Sequence, residues 1–428
     1  MKDIETKTLN MNKSEIKQPE LTGSKNQENN RHLKLVITRF SFGGQDTPFI
    51  LTGLFRDCQL MEVNCQRSCQ ESVLGNIYVG RVQKIVKNLN AAFIEYEKGK
   101  NGYYSLEDCK DPIYIKKINS PNMVQGDEVL VQVAKENLKT KLPVLTTNIN
   151  LAGTCCVLTS GNKKLGISSK INKKRREELQ ELFSDLSLES FGLILRTNAK
   201  DAETSEILKE YQLLKRQFDN LLKDAKYRTC FSCLKRSEPG YLKALKNNYV
   251  SSLEAVITDQ PDIFEEIEDT VSEILKSRQV PLTLYQDKQF PLAALFNIEK
   301  QMERAVQKKV WLKSGGYLVI EPTEALTVID VNTGKSMMKK NPQEHFLDLN
   351  KEAALEIAFQ LRLRNISGIV IIDFIDLKSK EDQKELLQTL TQAVRQDPVP
   401  VQVVDMTRLN LVELTRKKVS KSLKEQLT

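Results

Sequence analysis

The sequence predicts a multidomain chain that mixes the α+β and α/β classes, with a small antiparallel barrel of the OB type and, towards the C-terminal end, a βαβ crossover. Three observations carry this reading. Strand patterns follow one another closely at 77–86, 91–96, 102–106 and 128–134, the spacing of a small antiparallel barrel. Two β-branched apolar runs, Leu-Thr-Val-Ile-Asp-Val-Asn at 326–332 and Gly-Ile-Val-Ile-Ile-Asp at 368–373, flank a helical stripe of Leu349, Ala353, Ile357 and Leu361. At 428 residues, the chain is long enough for two to four domains.

Residues 1–33 are polar and read as a disordered arm. Asp3, Glu5 and Glu15 are unlike an organellar transit peptide, which is poor in acidic residues. Strand patterns at 34–38 and 59–63 are too few to form a domain alone. Within the barrel pattern, Phe93, Tyr103 and Tyr104 stand among Arg81, Lys84, Lys98 and Lys100, with Lys139 and Lys141 following. Aromatic faces beside cations suit single-stranded nucleic acid, because bases stack and phosphates need positive charge. The same residues would also suit a barrel core with a solvated basic surface.

Residues 173–186 read as a charged helix, and the apolar strand 192–195 ends at Arg196 and Thr197, where guanidinium and hydroxyl could hold an anion. Helical patterns follow at 200–226, 261–278 and 295–310. Gly315-Gly316 marks a turn into a strand at 317–320. Beyond the crossover, Ser379-Lys-Glu-Asp opens a helix to about 396. A strand at 399–404 and a basic helix over 415–426 close the pattern.

Composition narrows the chemistry. A formal charge of +8 with 28% charged residues fits an acidic partner without naming it. No apolar run reaches the length of a membrane span, and none resembles a signal peptide. The eight cysteines are scattered and read as reduced thiols, including the lone pair Cys230 and Cys233. With only two histidines, His32 and His345, a His-pair nuclease, a His-rich zinc hydrolase and a serine triad are disfavoured. Carboxylate and metal chemistry remains.

The crossover supplies it. Both β-branched runs read as strands buried on both faces, and each breaks its apolar character with an aspartate, Asp330 or Asp373, near its C-terminal end. A crossover makes such strands parallel and brings those ends to one edge of the sheet. One aspartate at a strand end is commonly a turn or cap residue. Two on one crossover, with Asn332 beside the first, point to a divalent cation, and Mg²⁺ suits a pair of carboxylates that leaves room for waters and phosphate oxygens. Thr333-Gly-Lys-Ser336 resembles half of a P-loop, but Ile329 stands where the first glycine belongs.

On these residues the chain resembles the ribonuclease E/G family. The resemblance rests on Glu324-Ala-Leu-Thr-Val-Ile-Asp-Val-Asn-Thr-Gly334, Gln360-Leu-Arg-Leu-Arg364, Ser367-Gly-Ile-Val-Ile-Ile-Asp-Phe-Ile-Asp376, Ala393-Val-Arg-Gln-Asp397, Met406-Thr-Arg-Leu409 through Glu413, and Thr146-Thr147 with Leu151-Ala-Gly153. It implies an S1 RNA-binding barrel at 73–150 inserted in an RNase H-like domain split over 34–72 and 236–305. It further implies a 5′-sensor region at 151–235 and a DNase I-like catalytic domain at 306–428.

By the same resemblance, Asp330 and Asp373 hold a catalytic Mg²⁺ and Asn332 orients the site. Phe93 and Tyr103 stack on single-stranded RNA, Lys141 contacts it, and Gly153, Val157, Arg196 and Thr197 read a 5′-monophosphate. Ser169, with Lys170 adjacent, stands where the family often has a further arginine. No zinc-binding cysteine pair follows Leu427, so the expectation is a homodimer rather than a zinc-linked tetramer. The Lys- and Asn-rich composition suits a plastid-encoded protein or a bacterial cytoplasmic one. The rival reading is a non-catalytic RNA-binding scaffold.

Overall fold

The computed structural model describes residues 33–44, 47–68, 72–108, 111–136, 142–184, 191–246, 253–287, 289–335 and 342–428. The expected arm lies outside them except for Leu33, where the first strand begins, and Lys139 and Lys141 also lie outside.

The strands near the N-terminus complete a sheet with strands from far along the chain. Its order is Leu282–Leu284, Leu253–Thr258, Leu33–Phe40, Phe49–Arg56, Gln59–Arg67. Leu33–Phe40 is antiparallel to Phe49–Arg56 and parallel to Leu253–Thr258, and the helix Pro261–Ser277 makes the crossover to Leu282–Leu284. Ile263, Ile267, Val271 and Leu275, spaced for one helical face, pack with Leu35, Ile37 and Val256.

Between these segments the expected barrel closes. Ile77–Val86, Ala91–Glu97, Lys100–Ser105, Val144–Thr146 and Glu128–Lys135 pair in turn, and the last returns to the first. Val82, Ile94, Tyr104, Val131 and Leu145 fill it. A four-stranded sheet, Asn150–Ala152, Cys156–Thr159, Gly192–Leu195 and Leu165–Ile167, then packs on the helix Thr204–Tyr227 through Ile207, Tyr211, Leu214 and Phe218.

The C-terminal sheet has the order Lys309–Trp311, Tyr317–Pro322, Leu326–Asn332, Gly368–Asp373, Leu411–Arg416, Val401–Met406. Leu326–Asn332 and Gly368–Asp373 are parallel, joined through the helix Pro342–Leu363, and the other pairs are antiparallel. Three expectations need correction. The crossover strands are not buried on both faces, because burial alternates: Thr327, Ile329 and Val331 are buried, while Val328, Asp330 and Asn332 are half-exposed. Their outer neighbours are antiparallel and need no crossover helix, and the helices Pro342–Leu363 and Lys380–Val394 contribute to one core beneath the sheet.

The helix expected at 295–310 is two pieces, Leu292–Leu295 and Ile298–Val306, parted by Asn297 at φ 48°. Lys309–Trp311 is a strand because the Gly315 turn, at φ 94°, folds Tyr317–Pro322 back onto it. The basic helix expected over 415–426 shrinks to Leu423–Leu427, since Leu411–Arg416 pairs on both sides, with Gly368–Asp373 and Val401–Met406.

The helix Pro342–Leu363 is a wedge with two apolar sides. Leu349, Ala353, Ile357 and Leu361 face the C-terminal sheet, as their spacing predicts. Phe359 and Leu363 instead join Val63, Leu423 and Leu427 in the core of the N-terminal sheet, and Arg362 pairs with Glu62 there. In the C-terminal sheet, at the end opposite Asp373, Arg416 and Asp397 form a buried bidentate pair, 2.8 and 3.2 Å, with side chains 3% and 4% exposed. Arg416 also donates to Asn365 Oδ1 and the Ile366 carbonyl, so one guanidinium ties the ends of both helices to the edge of the sheet. Removing one partner strands a buried charge. Asp397→Ala is expected to lower unfolding stability by about 3–5 kcal/mol in chemical denaturation, whereas exposed pairs such as Lys308–Glu321 contribute roughly 0–1 kcal/mol.

Candidate active site

The parallel register makes Asp330 the direct partner of Asp373. Strands lie about 4.8 Å apart and partnered residues share a face, so the two carboxylates stand side by side on the face that the helices leave open. Asn332, two residues beyond Asp330 and on the same face, donates from Nδ2 to Asp330 Oδ2 at 2.8 Å. That bond fixes the Asp330 carboxylate and leaves its other oxygen to point elsewhere. Burial, followed by the charges of Asp330 and Asp376, holds the Asp373 carboxyl above the ordinary carboxylate value. The clustered negative charge disfavours the ionised form of Asp373 unless a cation compensates it.

Sequence reasoning did not find several groups around this pair. Asn350, fully buried in the wedge helix, donates to the Ile375 carbonyl at 2.7 Å and accepts from Ile375 N at 3.1 Å. It clamps the backbone two residues past Asp373. The available signal was a polar residue beside Leu349, at the edge of an apolar stripe. Asp376 is held by Asn410, 3.0 Å away, and Glu413 partners Ile371 on the open face. Among the described residues, no group of three or more His, Cys, Asp or Glu is placed to hold a metal. The two aspartates offer hard oxygen donors, a set that would fit an ion such as Mg²⁺, which keeps most of its waters.

The barrel brings Phe93 and Tyr103 together. They are cross-strand partners, with ring centroids 6.3 Å apart at 77°, and both are half-exposed. Lys84 partners Phe93 on the other side, so a cation and two aromatic rings form one row across three strands. Tyr104 points the opposite way, buried in the core with its hydroxyl 3.0 Å from Thr147 Oγ1. The aromatics thus divide between surface and core. Arg81 is paired with Glu128 at 2.9 Å and Lys100 with Glu97 at 2.7 Å, which removes part of the expected basic surface. Lys141 lies outside the described residues.

Gly153, Val157, Arg196 and Thr197 also converge. Arg196 donates from Nη1 to the Gly153 carbonyl, and its backbone N–H donates to the Cys155 carbonyl at 2.7 Å. Val157 lies on the neighbouring strand, partnered with Ile194, and the Thr197 hydroxyl is 3.0 Å from Ser168 Oγ. Glu210 props this loop from below by accepting the N–H groups of Thr154 and Cys155. A Cβ at position 153 would meet the Glu210 carboxylate, which would have to shift from its hold on Thr154 and Cys155 to make room. Ser169 and Lys170 are exposed beside Ser168.

Cys230 Sγ lies 3.8 Å from the Val79 carbonyl, Cys233 starts a strand paired with Tyr78, and burial raises both thiols above their usual value. That is the opposite of a reactive thiolate.

The model of the ribonuclease E/G family matches residues 150–419, which include the carboxylate pair and the Gly153–Arg196 loop. Ribonuclease G of Haemophilus influenzae is 33% identical over 381 residues, 86% of this chain and 77% of that protein. Ribonuclease G of Escherichia coli K12 is 31% identical over 379 residues, with the same coverage. Ribonuclease E of Synechocystis is 34% identical over 382 residues, 88% of this chain but 56% of that longer protein. The chain belongs to the ribonuclease E/G family.

Proposed function

We propose that this chain is a Mg²⁺-dependent endoribonuclease that cuts single-stranded, A/U-rich RNA in RNA processing and decay, leaving a 5′-phosphate and a 3′-hydroxyl. The observation that carries the reading is the register pairing of Asp330 with Asp373, in a chain related to ribonucleases G and E. On this reading the closed barrel is an S1 domain, the N-terminal sheet is RNase H-like, the 151–235 region is a 5′ sensor and the C-terminal sheet is DNase I-like. The working state is a homodimer in a plastid stroma or a bacterial cytoplasm.

Asp330 and Asp373 would hold the ion. When bound, Mg²⁺ supplies Lewis acidity towards the scissile phosphate and an attacking water. The Asn332 amide keeps Asp330 oriented through the 2.8 Å bond, and the Asn350 clamp keeps the Asp373 strand end in place. Because Asp373 takes up a proton more readily than an ordinary carboxylate, protons compete with the ion there and acidification weakens binding. Phe93 and Tyr103 would take unpaired bases on their half-exposed rings. A duplex would be excluded because its stacked bases cannot reach them. Arg196 and Thr197 would take a 5′-monophosphate, the guanidinium exchanging its bond to the Gly153 carbonyl for the anion.

Three outcomes follow. Asp330→Asn and Asp373→Asn should each lower the Mg²⁺-dependent cleavage rate on the order of 10³-fold, while affinity for a single-stranded oligonucleotide in a filter-binding assay stays near the native value. Uncut RNA binding by the native chain, with no Mg²⁺-dependent product on a gel, would contradict the reading. Phe93→Ala should weaken that affinity about tenfold, the worth of one stacked base, with little change at saturating RNA. Arg196→Ala should bring cleavage of 5′-monophosphate RNA down to the rate for 5′-hydroxyl RNA, leaving the latter unchanged; equal preference in native and variant chains would remove the sensor.

A further inference from the structure

The open face that carries the carboxylate pair also carries aromatic surface that the proposed reaction leaves unused. Trp311, the one tryptophan in the sequence, is 59% exposed on the edge strand Lys309–Trp311. It partners Tyr317, and Tyr317 partners Asn332. The preceding row runs Lys309, Val319, Asp330, Asp373. Partnered residues share a face, so Trp311, Tyr317 and Lys309 lie on the same side of the sheet as the two aspartates and Asn332. With strands about 4.8 Å apart, Tyr317 is one strand and Trp311 two strands, roughly 10 Å, from the Asn332 column.

The rings are organised. Their centroids are 5.3 Å apart at 61°, and Lys309 Nζ sits 4.1 Å from the Trp311 centroid and 3.6 Å from that of Tyr317. No carboxylate pairs with Lys309 among the described residues. Tyr317 also packs against the turn that follows the catalytic strand, since a Cβ on Gly334 would come within 3.1 Å of its ring. What sets Trp311 apart from other exposed apolar residues is its pairing with a second ring and a cation on the face of the carboxylate pair. Two aromatic rings with one unpaired cation fit a nucleobase and its phosphate.

We propose that Trp311, Tyr317 and Lys309 form a nucleobase-stacking site that holds a nucleotide of the single-stranded RNA within a few residues of the bond cut at Asp330 and Asp373. The base stacks on the indole, and the Lys309 ammonium leaves the rings for the adjoining phosphate, exchanging a weak surface cation–π contact for a charge pair. This site rests on the endoribonuclease reading for its substrate. It adds a second base contact, separate from Phe93 and Tyr103 on the barrel.

The lone tryptophan makes the test direct. Its emission is followed in the full-length Asp330→Asn, Asp373→Asn chain during titration with an A/U-rich single-stranded oligonucleotide, the same sequence as a duplex, and a version with abasic positions. The site predicts saturable quenching by the single strand, and loss of quenching with the duplex and when the abasic position falls on the platform. In the active chain, Trp311→Ala should raise KM about tenfold with kcat nearly unchanged, and Trp311→Phe should restore most of the loss. Thermal melts of both variants verify folding. Unchanged emission at saturating RNA, or native KM in Trp311→Ala, overturns the platform while a cutting native chain leaves the nuclease reading intact. Quenching by RNA that the native chain never cuts overturns the nuclease reading and keeps the platform. If Trp311→Ala lowers the sedimentation mass and leaves RNA affinity unchanged, the patch is a chain–chain contact and the proposal falls.

Discussion

The parallel register between Leu326–Asn332 and Gly368–Asp373 is the constraint on which the rest depends. A slip of one residue would turn Asp330 or Asp373 into the helix-covered core, where an unpaired carboxylate is not tolerated. The apolar alternation of both strands therefore specifies the register and, with it, the meeting of two like charges. The fold concentrates an electrostatic cost at one point on an open face. Asn332 and Asn350 then hold the geometry in which a cation can relieve it.

The wedge helix extends that constraint outward. It supplies the crossover, packs the C-terminal sheet through Leu349, Ala353 and Ile357, and carries Phe359 and Leu363 into the core of the N-terminal sheet. Both sheets thus lean on one helix. The barrel is inserted in sequence between the strands of the N-terminal sheet, so its Lys84, Phe93 and Tyr103 row is carried by the same framework as the carboxylate pair. A nuclease needs such a framework, because its substrate must be held in register with the bond being cut.

Much of this was legible in the sequence where the signal is local and periodic. The barrel strands, the crossover helix and the meeting of Asp330 with Asp373 all follow from short patterns and the rule that a crossover through a helix makes its two strands parallel. The misreadings arose where tertiary pairing overrode local pattern. Lys309-Val310 falls in the helical pattern of 295–310, because only the Gly315 turn, folding a later strand back, makes it part of an edge strand. Thr415-Arg416 carried basic character that suggested a helix, yet Arg416 is buried against Asp397, a partner 19 residues away that no helical period reveals. Burial on both faces was expected from β-branched runs, but it depends on what flanks the strands, and antiparallel neighbours bring no second helical layer. Glu210 and Asn350 were missed for a related reason: each is one polar residue on a helix, and its purpose appears only when the loop it clamps is in place.

The most direct measurement is titration of the purified full-length chain with Mn²⁺, a paramagnetic stand-in for Mg²⁺, read by electron paramagnetic resonance with Mg²⁺ as competitor. The account predicts a site that Mg²⁺ displaces, that weakens on acidification as Asp373 takes up its proton, and that is lost in both Asp330→Asn and Asp373→Asn. Unchanged Mn²⁺ binding in either variant would contradict it.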